Sequence, residues 1–578
     1  MKKIGPFPGS RANFLAIVLL LATSVIIFRL FQIQIIDHSH YTELGEEQHI
    51  KQLAIHAKRG EIYTYDTGNP TILVMNERIY TLFIDPMIIS EPDRVREVIN
   101  SVAGGNLTVD LSGAITQTST RYQIVAKGLT RKQAEMIKDA DLSGVGFHET
   151  TRRIYPEGSL ASQTLGFVNA EGVGQYGIEE ALNQRLVGTD GRLQTVTDVN
   201  YVPLTIGDKN TLTPAKNGDN LVLTIDRNIQ RHVEQTLQKK LKEIGADQGN
   251  VIILDPSNGH ILAMANLPSF DVSNYTKAKD TALFNNPVLT DPYEPGSVIK
   301  PFTMAVGIDR GVVTPSSTYY NRDYIIVDDR TINNSIYGYT GNISMQTAMN
   351  YSLNTGMVTI VQRLGDGEKI TRGARDTIYD YFHGKFHFGQ KTSIELFESP
   401  GIVIPPTEVE GNAVRYSNMS FGQGMNLSML QVAAAFGAII TDGTYHSPTV
   451  IAGVMQDGKF VAESHDASTQ VVKSGTATTI RNMLIKARKS SLAYSDKAGY
   501  TVGGKTGTSQ VVVDGVYSDK TTIASYLGFG GDSSPRYVIM VRVKSDGSVL
   551  GGSTAAGPIF TELSNWMIGY LNLKPRSN

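Results

Sequence analysis

The sequence predicts an α/β (α+β) protein with at least two domains behind a single N-terminal transmembrane helix. Its 578 residues exceed the usual size of one domain. An apolar stretch lies near the start, and candidate strands flank a helix-rich middle in the second half. We therefore divide the chain into a cytoplasmic tail (1–12), a transmembrane helix (13–36), a mainly β, mixed pedestal (37–215), an α/β domain (216–572) and a C-terminal tail (573–578).

The composition excludes several classes of protein. With 41% hydrophobic and 19% charged residues the chain is typical of globular proteins. The net charge of -2 argues against a nucleic-acid partner, because neutralising phosphates takes a basic surface. The absence of cysteine excludes disulfides and thiol catalysis. His383 and His387 are four residues apart, but Gly384 intervenes and no H-E-x-x-H motif is present, so we expect neither metal nor cofactor.

Residues 13–36 are almost wholly apolar, and about 20 such residues span a bilayer as a helix. Lys2, Lys3 and Arg11 precede this stretch. Positive charge on a short leading segment keeps that side in the cytoplasm, so the rest of the chain is expected outside. A cleaved signal peptide is the alternative, but no small-x-small cleavage site follows the apolar run. We therefore predict a retained single-pass anchor in the plasma membrane.

The pedestal shows short alternating segments broken by Gly, Pro and Asp. Residues 80–84 alternate as a strand does, and Thr130 with Gln133 forms a capping box that opens a helix over 131–138. No catalytic combination of side chains occurs in this region. Residues 207–220 are rich in Gly, Thr, Lys, Asn and Asp and are predicted to be a linker.

The α/β domain opens and closes with sheet segments. Asp226 follows a strand candidate and can cap a helix whose apolar residues recur at helical spacing. The remaining predicted elements are an antiparallel pair at 250–254 and 260–265, a strand at 537–543 and a helix at 559–571. Strands from both ends are thus expected to form one sheet around a helical centre.

The segment from Tyr293 to Phe302 carries the first candidate site. Pro301 lacks a backbone N–H and is tolerated only near a helix start, so a helix should begin close to Ser297. Ser297 and Lys300 then lie on one face, with β-carbons about 5 to 6 Å apart. A desolvated lysine with a lowered pKa can take the proton of a serine hydroxyl, and helix-terminal N–H groups suit an oxyanion.

Two later segments strengthen this interpretation, since Ser-x-x-Lys alone is a weak pattern. Ser352-Leu353-Asn354 lies between two candidate helices and offers a hydroxyl and an amide. Lys505-Thr506-Gly507-Thr508 lies in a candidate strand, where glycine permits close backbone approach and the lysine and hydroxyls suit a carboxylate. Singly, each segment could be an ordinary helix cap or strand end.

This ordered trio is a signature of penicillin-binding proteins and class A β-lactamases, although Leu353 stands where an aspartate is usual. The chain most closely resembles the class B penicillin-binding proteins, which are monofunctional D,D-transpeptidases. The resemblance covers nearly the whole chain. Further segments that resemble the family lie at 59–62, 153–156, 177–180, 186–188, 255–264 and 421–424.

The resemblance implies that Ser297 attacks the D-Ala-D-Ala bond of a peptidoglycan stem peptide and that β-lactams acylate the same serine. It assigns Lys300 as the base and Ser352 and Lys505 as proton relays. By the same resemblance, Asn354 holds the substrate amide, whereas Thr506 and Thr508 bind its terminal carboxylate. Gly507 lies between them in the same substrate-binding segment. The backbone N–H groups of Ser297 and Thr508 would form the oxyanion hole. Implied partners are a multi-pass peptidoglycan glycosyltransferase and division or elongation proteins, with division favoured by the block from 153 to 186.

Three other functions remain open from the sequence. A membrane-anchored β-lactamase or β-lactam-binding sensor would share the trio, but a lactamase has no use for a pedestal of about 170 residues. A catalytically inactive divisome scaffold should have lost a reactive residue, and none is lost. A D,D-carboxypeptidase, in which water replaces the acceptor amine, has the same motifs.

Overall fold

The structure is a computed structural model that describes residues 11–38, 50–196, 211–464, 467–491, 495–513 and 516–576. Its internal contacts divide the chain into two compact units. The first unit is Met1–Arg59 with Val187–Gly218, and the second is Gly60–Leu186 with Asp219–Asn578.

The first unit holds the anchor helix. An α-helix over Arg11–Phe31 continues as a π-helical turn over Gln32–Ile36, and Asn13–Ile36 is long and apolar enough to cross a membrane. Strands Ile50–Ile55, Gly191–Val196 and Thr211–Thr213 form an antiparallel sheet. Part of the predicted linker, residues 207–210, lies outside the described residues, and Thr211–Thr213 is a strand instead.

The second unit begins with a sheet that joins the two halves of the sequence. Its seven strands are Lys459–Ala462, Ile451–Gln456, Asn220–Asp226, Ile62–Asp66, Asn69–Ile84, Gln123–Leu129 and, paired with Asn69–Ile84, Val145–Ile154. Helices Pro92–Ala103, Leu111–Thr116 and Arg131–Lys138 belong to this part. The predicted strand at 80–84 and the capping box of Thr130 with Gln133 are both confirmed.

A second sheet forms the centre of the α/β domain, and we call it the central sheet. Its five antiparallel strands are, in spatial order, Ile261–Leu267, Gln248–Leu254, Pro535–Lys544, Val516–Gly531 and Thr501–Val513. The pairing of the first and last parts of the domain is as predicted. Asp226 accepts from the N–H groups of Asn228 and Ile229 and caps helix Arg227–Ile244, which is also as predicted.

The two faces of the central sheet carry two hydrophobic cores, because alternate side chains of a strand point to opposite faces. Val251 and Ile253 pack with helices Arg227–Ile244 and Gly557–Tyr570. Ile252 and Leu254 instead join the core of the helical centre, which includes the fully buried helix Met429–Ile440.

The helical centre contains two of the three candidate segments, at the starts of helices Lys300–Asp309 and Asn354–Leu364. Its α-helices are Pro287–Thr290, Lys300–Asp309, Met345–Asn350, Asn354–Leu364, Arg372–Tyr379, Ala413–Met419, Met429–Ile440 and Ser474–Ser491. Strand pairs are Thr318–Asn321 with Gly341–Ser344, Tyr324–Val327 with Arg330–Asn333, and Thr444–His446 with Ser468–Gln470. Further short elements are helices Ser162–Leu165, Gly177–Ala181 and Asn183–Val187 and the strand pair Phe167–Val168 with Gly174–Gln175.

Candidate active site

Ser297 lies in a 3₁₀ turn, Gly296–Ile299, that runs directly into helix Lys300–Asp309. Pro301 occupies the first turn of this helix, where a missing N–H costs no hydrogen bond. The predicted helix start beside Ser297 is therefore confirmed. Ser297 is half-buried, whereas Lys300, one turn further on, is fully buried.

Lys300 connects the first and second segments of the trio. Its Nζ donates to Ser352 Oγ at 3.0 Å and also to the Ser352 backbone carbonyl. Ser352 lies in the turn between helices Met345–Asn350 and Asn354–Leu364, with a φ of +59° that non-glycine residues rarely adopt. Such a conformation persists only where the surroundings impose it. The hydroxyl of Ser352 is thus held at hydrogen-bond distance from the amine.

The electrostatics of the site favour neutral amines. Burial, followed by the charge of nearby Lys505, lowers the pKa of Lys300 well below its ordinary value. Burial also lowers the pKa of Lys505 to about 7. An unprotonated amine can accept a proton from a hydroxyl, which an ammonium ion cannot do. Lys300, whose pKa is lowered, is therefore suited to act as a base.

The third segment lies on Thr501–Val513, the terminal strand of the central sheet. Lys505 is buried, and its Nζ donates to the carbonyl oxygen and Oγ1 of Thr506, at 3.1 and 3.3 Å. A β-carbon on Gly507 would lie 2.3 Å from Ser525 Oγ and 3.0 Å from the Pro295 carbonyl oxygen. Only glycine therefore lets this strand pass so close to the turn that carries Ser297.

Thr508 and Asn354 complete the set of candidate residues. Thr508 is exposed, its Oγ1 accepts from the N–H of Gly552 at 3.1 Å, and its carbonyl oxygen lies beside Gly296. Asn354 is the first residue of helix Asn354–Leu364 and donates from Nδ2 to the Asn333 carbonyl oxygen at 2.8 Å. The three sequence segments thus meet around Lys300, and the individual roles of their residues remain predictions.

Sequence reasoning missed the contacts that hold the Ser297 turn in place. The N–H of Gly296 donates to the Gly422 carbonyl oxygen at 3.0 Å. The carboxylate of Glu294 accepts from the N–H of Gly424 at 2.7 Å and from the Tyr517 hydroxyl at 3.1 Å. Residues 421–424 resemble the family in sequence, but they lie more than 120 positions from Ser297 in the chain, and no short-range pattern predicts the contact.

Within the described ranges no three His, Cys, Asp or Glu side chains lie close enough together to hold a metal ion. His383 Nδ1 is hydrogen-bonded with the Phe388 carbonyl oxygen and its ring stacks on Tyr379. His387 packs against Tyr445. These histidines contribute to packing in the helical centre.

Comparison with known families gives two matches along the chain. The model of the penicillin-binding protein transpeptidase domain matches residues 249–565, more than half of the chain. The model of the penicillin-binding protein dimerisation domain matches residues 54–223.

Individual relatives are similar to this chain over most of their own length. Stage V sporulation protein D of Bacillus subtilis is 28% identical over 562 residues, covering 95% of this chain and 84% of that protein. The probable peptidoglycan D,D-transpeptidase PenA of Neisseria gonorrhoeae is 26% identical over 580 residues, covering 98% and 94%. The crystal structure of penicillin-binding protein 2X from Streptococcus thermophilus superposes with a TM-score of 0.72 at 23% identity, covering 91% and 83%, and so supports the fold.

Proposed function

Because the chain belongs to the class B penicillin-binding protein transpeptidases, we propose that it crosslinks peptidoglycan stem peptides through an acyl-enzyme on Ser297. One observation carries this proposal above the others. Lys300 is fully buried, has a pKa lowered by burial, and lies one helical turn after Ser297 while bonded to Ser352. A serine hydroxyl is a weak nucleophile until such a base removes its proton.

In the first step Ser297 Oγ attacks the carbonyl carbon of the D-Ala-D-Ala bond, and its proton passes to Lys300 Nζ. The peptide C–N bond then breaks, and a proton relayed through Ser352 and Lys505 reaches the departing D-Ala amine. The hydrogen bond from Lys300 to Ser352 supports this relay. The product is an ester between Ser297 and the shortened stem peptide.

Substrate binding falls to the residues around this centre. The N–H groups of Ser297 and Thr508 stabilise the oxyanion, a contribution that is commonly large. Asn354 binds an amide carbonyl of the stem peptide. Thr506 and Thr508 bind its terminal carboxylate, and Gly507 keeps the strand close to Ser297. The pKa of Lys505 of about 7 leaves it partly charged, which helps to attract that carboxylate.

In the second step a neutral amine of a neighbouring stem peptide attacks the ester carbon and gives up one proton to Lys300. The ester C–O bond then breaks, and Lys300 returns this proton to the departing Ser297 oxygen. The new bond is the peptide crosslink. β-Lactams resemble the D-Ala-D-Ala end and acylate the same hydroxyl.

A donor–acceptor assay tests the proposal. The full chain in detergent is given a thioester analogue of a D-Ala-terminated stem peptide together with an amine acceptor. We expect an amide product, its loss in Ser297→Ala, and no change in Ser101→Ala, which alters an exposed serine on helix Pro92–Ala103. Hydrolysis alone at high amine concentration would contradict crosslinking and favour a D,D-carboxypeptidase.

We further propose that residues 1–12 are cytoplasmic and that the pedestal and the catalytic domain lie outside the plasma membrane. The helix over Asn13–Ile36 supports a single-pass anchor. The chain has no cysteine, so Ser101→Cys introduces a unique label. We expect a membrane-impermeant maleimide to modify it in intact cells or spheroplasts. Labelling only after lysis would indicate the opposite topology, with residue 101 on the cytoplasmic side.

The partners proposed for the chain are a multi-pass peptidoglycan glycosyltransferase and proteins of the division machinery. A crosslinking enzyme held beside the enzyme that makes the glycan strands can act on each new strand. The resemblance of the block from 153 to 186 to septal members favours division. We expect a fluorescent fusion to concentrate at the septum, and a side-wall distribution would indicate elongation.

A further inference from the structure

Helix Asn354–Leu364 begins without a capping side chain of its own. Leu353 occupies the N-cap position and has no oxygen with which to accept an N–H. Asp, Asn, Ser and Thr are preferred at this position because their side-chain oxygen can accept a hydrogen bond from a backbone N–H of the first turn. The N–H of Thr355 instead donates to Asn334 Oδ1 at 3.1 Å, so the cap comes from a residue 21 positions away in the chain.

Asn334 belongs to a buried polar cluster that grips Thr355 at two points. Asn334 and Asn321 are almost fully buried, with 2% and 0% of their surface exposed. Asn321 Oδ1 accepts from Thr355 Oγ1 at 2.9 Å and from Asn334 Nδ2 at 3.2 Å. The backbone N–H and the hydroxyl of Thr355 are therefore both held by buried side-chain amides. These amides keep their geometry because leaving a buried polar group without a hydrogen bond costs free energy.

Asp323 organises this cluster. Its carboxylate accepts from Asn321 Nδ2 at 2.9 Å, from the N–H of Gly338 at 3.0 Å and from Thr340 Oγ1 at 3.1 Å. Its backbone carbonyl also accepts from the N–H of Asn334 at 2.9 Å. These hydrogen bonds, the one from Gly338 foremost, lower the pKa of Asp323, so the carboxylate is charged at neutral pH.

The cluster is continuous with the side chain of Asn354. Asn333 immediately precedes Asn334, and its carbonyl oxygen accepts from Asn354 Nδ2 at 2.8 Å. Fixing Asn334 therefore fixes the oxygen that orients the Asn354 amide. A primary amide has two N–H bonds, so one remains for a carbonyl of the substrate.

We propose that Asp323 and Asn334 are positioning residues that set the orientation in which Asn354 meets the substrate amide carbonyl. Neither residue touches the reacting atoms. The proposal rests on the proposed function, since it takes the ligand of Asn354 to be an acyl amide. It also explains how helix Asn354–Leu364 can start at a leucine, because Asn334 accepts the N–H that the side chain of Leu353 cannot accept.

Two β-lactams separate positioning from general stability. Benzylpenicillin carries an acyl amide carbonyl for Asn354, whereas 6-aminopenicillanic acid lacks it. The second-order acylation rate of each is measured with the full chain and with Asp323→Asn. In Asp323→Asn we expect the acylation rate with benzylpenicillin to fall about tenfold, which is the effect of one misplaced hydrogen bond. The rate with 6-aminopenicillanic acid should fall by less than about twofold.

The matched control is Asp329→Asn, the same chemical change on the same hairpin. The Asp329 side chain is 79% exposed and pairs only loosely with Arg330, so neither rate should change. Thr340→Val is the milder variant, because it removes a single hydrogen bond to Asp323 from an exposed position. Thr340→Val should lower the acylation rate with benzylpenicillin by about two- to threefold and leave the rate with 6-aminopenicillanic acid nearly unchanged.

A double variant completes the test. In an Asn354→Ala background, Asp323→Asn should cause no further loss on benzylpenicillin, because its effect passes through the absent amide. Equal losses on both compounds, no loss on either, or a further full loss in the double variant would each overturn the inference. Failure of the parent to react with either compound would instead contradict the proposed function.

Discussion

Lys300 and Lys505 are both withdrawn from solvent, with 0% and 4% of their surface exposed. Each therefore loses the hydration that stabilises an ammonium ion, and the charge of one further disfavours the charge of the other. Because the charge of Lys505 lowers the pKa of Lys300, the protonation of one amine depends on that of the other. The chemistry proposed for Ser297 depends on this pair more than on any other feature.

Replacing Lys300 should remove the base. We expect Lys300→Ala to slow acylation by penicillin by about 100-fold or more. Lys300→Met fills the same buried space without an amine and should be equally slow, which separates lost chemistry from a cavity. Lys239→Ala, which changes an exposed lysine, is the control. Stopped-flow acylation within a few-fold of the parent, in a folded Lys300 variant, would exclude this role.

The pH dependence of acylation should reveal the coupling. Acylation requires neutral Lys300. The acylation rate should therefore rise as the pH is raised, because a larger fraction of Lys300 is then unprotonated. The Lys505 ammonium lowers the pKa of Lys300. Lys505→Gln removes that charge, so the Lys300 pKa rises and the rising limb should move to higher pH. The measurement is the acylation rate of folded protein from about pH 5 to 9, and a limb that stays in place or moves to lower pH would refute the coupling.

The turn that carries Ser297 is held by a second turn, in which Gly422 has a φ of +93°. A β-carbon there would lie 2.0 Å from the Gly296 carbonyl oxygen, so Gly422→Ala should displace the backbone next to Ser297 and reduce acylation by at least about tenfold. Gly458→Ala is the matched control, since its φ is +75° and the space around it is open. Both variants should lose some stability, but only Gly422→Ala should lose acylation. Equal acylation rates in the two variants would show that this contact is not needed.

Local features of these elements were predictable from the sequence, whereas contacts between them were not. The Asp226 cap and the capping box of Thr130 depend on residues two or three positions apart, and both are confirmed. The contact of Gly296 with Gly422 joins two segments that are far apart in the sequence, so no short-range sequence pattern predicts it. The same holds for Asn334, whose role follows only from the folding of its hairpin against Thr355.

The largest hydrophobic core includes residues from both sides of the sequence boundary predicted near residue 215. Phe167 stacks on Tyr275 with ring centroids 4.0 Å apart and contacts Phe284 at 5.0 Å. Ile62 and Leu73 belong to the same cluster. Most of the pedestal therefore packs as part of one compact unit with the catalytic segment, which the linker-like composition of residues 207–220 did not indicate.

This shared core makes the pedestal important for stability. Phe167→Ala removes a side chain that is 5% exposed and should cost about 3 to 5 kcal/mol of unfolding free energy. Phe397→Ala, at a phenylalanine that is 75% exposed, should cost little. Thermal melting of the two variants checks this. A parent-like melting temperature for Phe167→Ala would show that the two segments do not depend on each other.

The whole proposed mechanism depends on which residue of the molecule is acylated. The full chain is incubated with a labelled penicillin, its intact mass is measured, and the adduct is located by peptide mapping. We predict one adduct per chain, on Ser297, and complete loss of labelling in Ser297→Ala. An adduct on Ser352, or labelling that persists in Ser297→Ala, would contradict the assignment of Ser297 as the nucleophile.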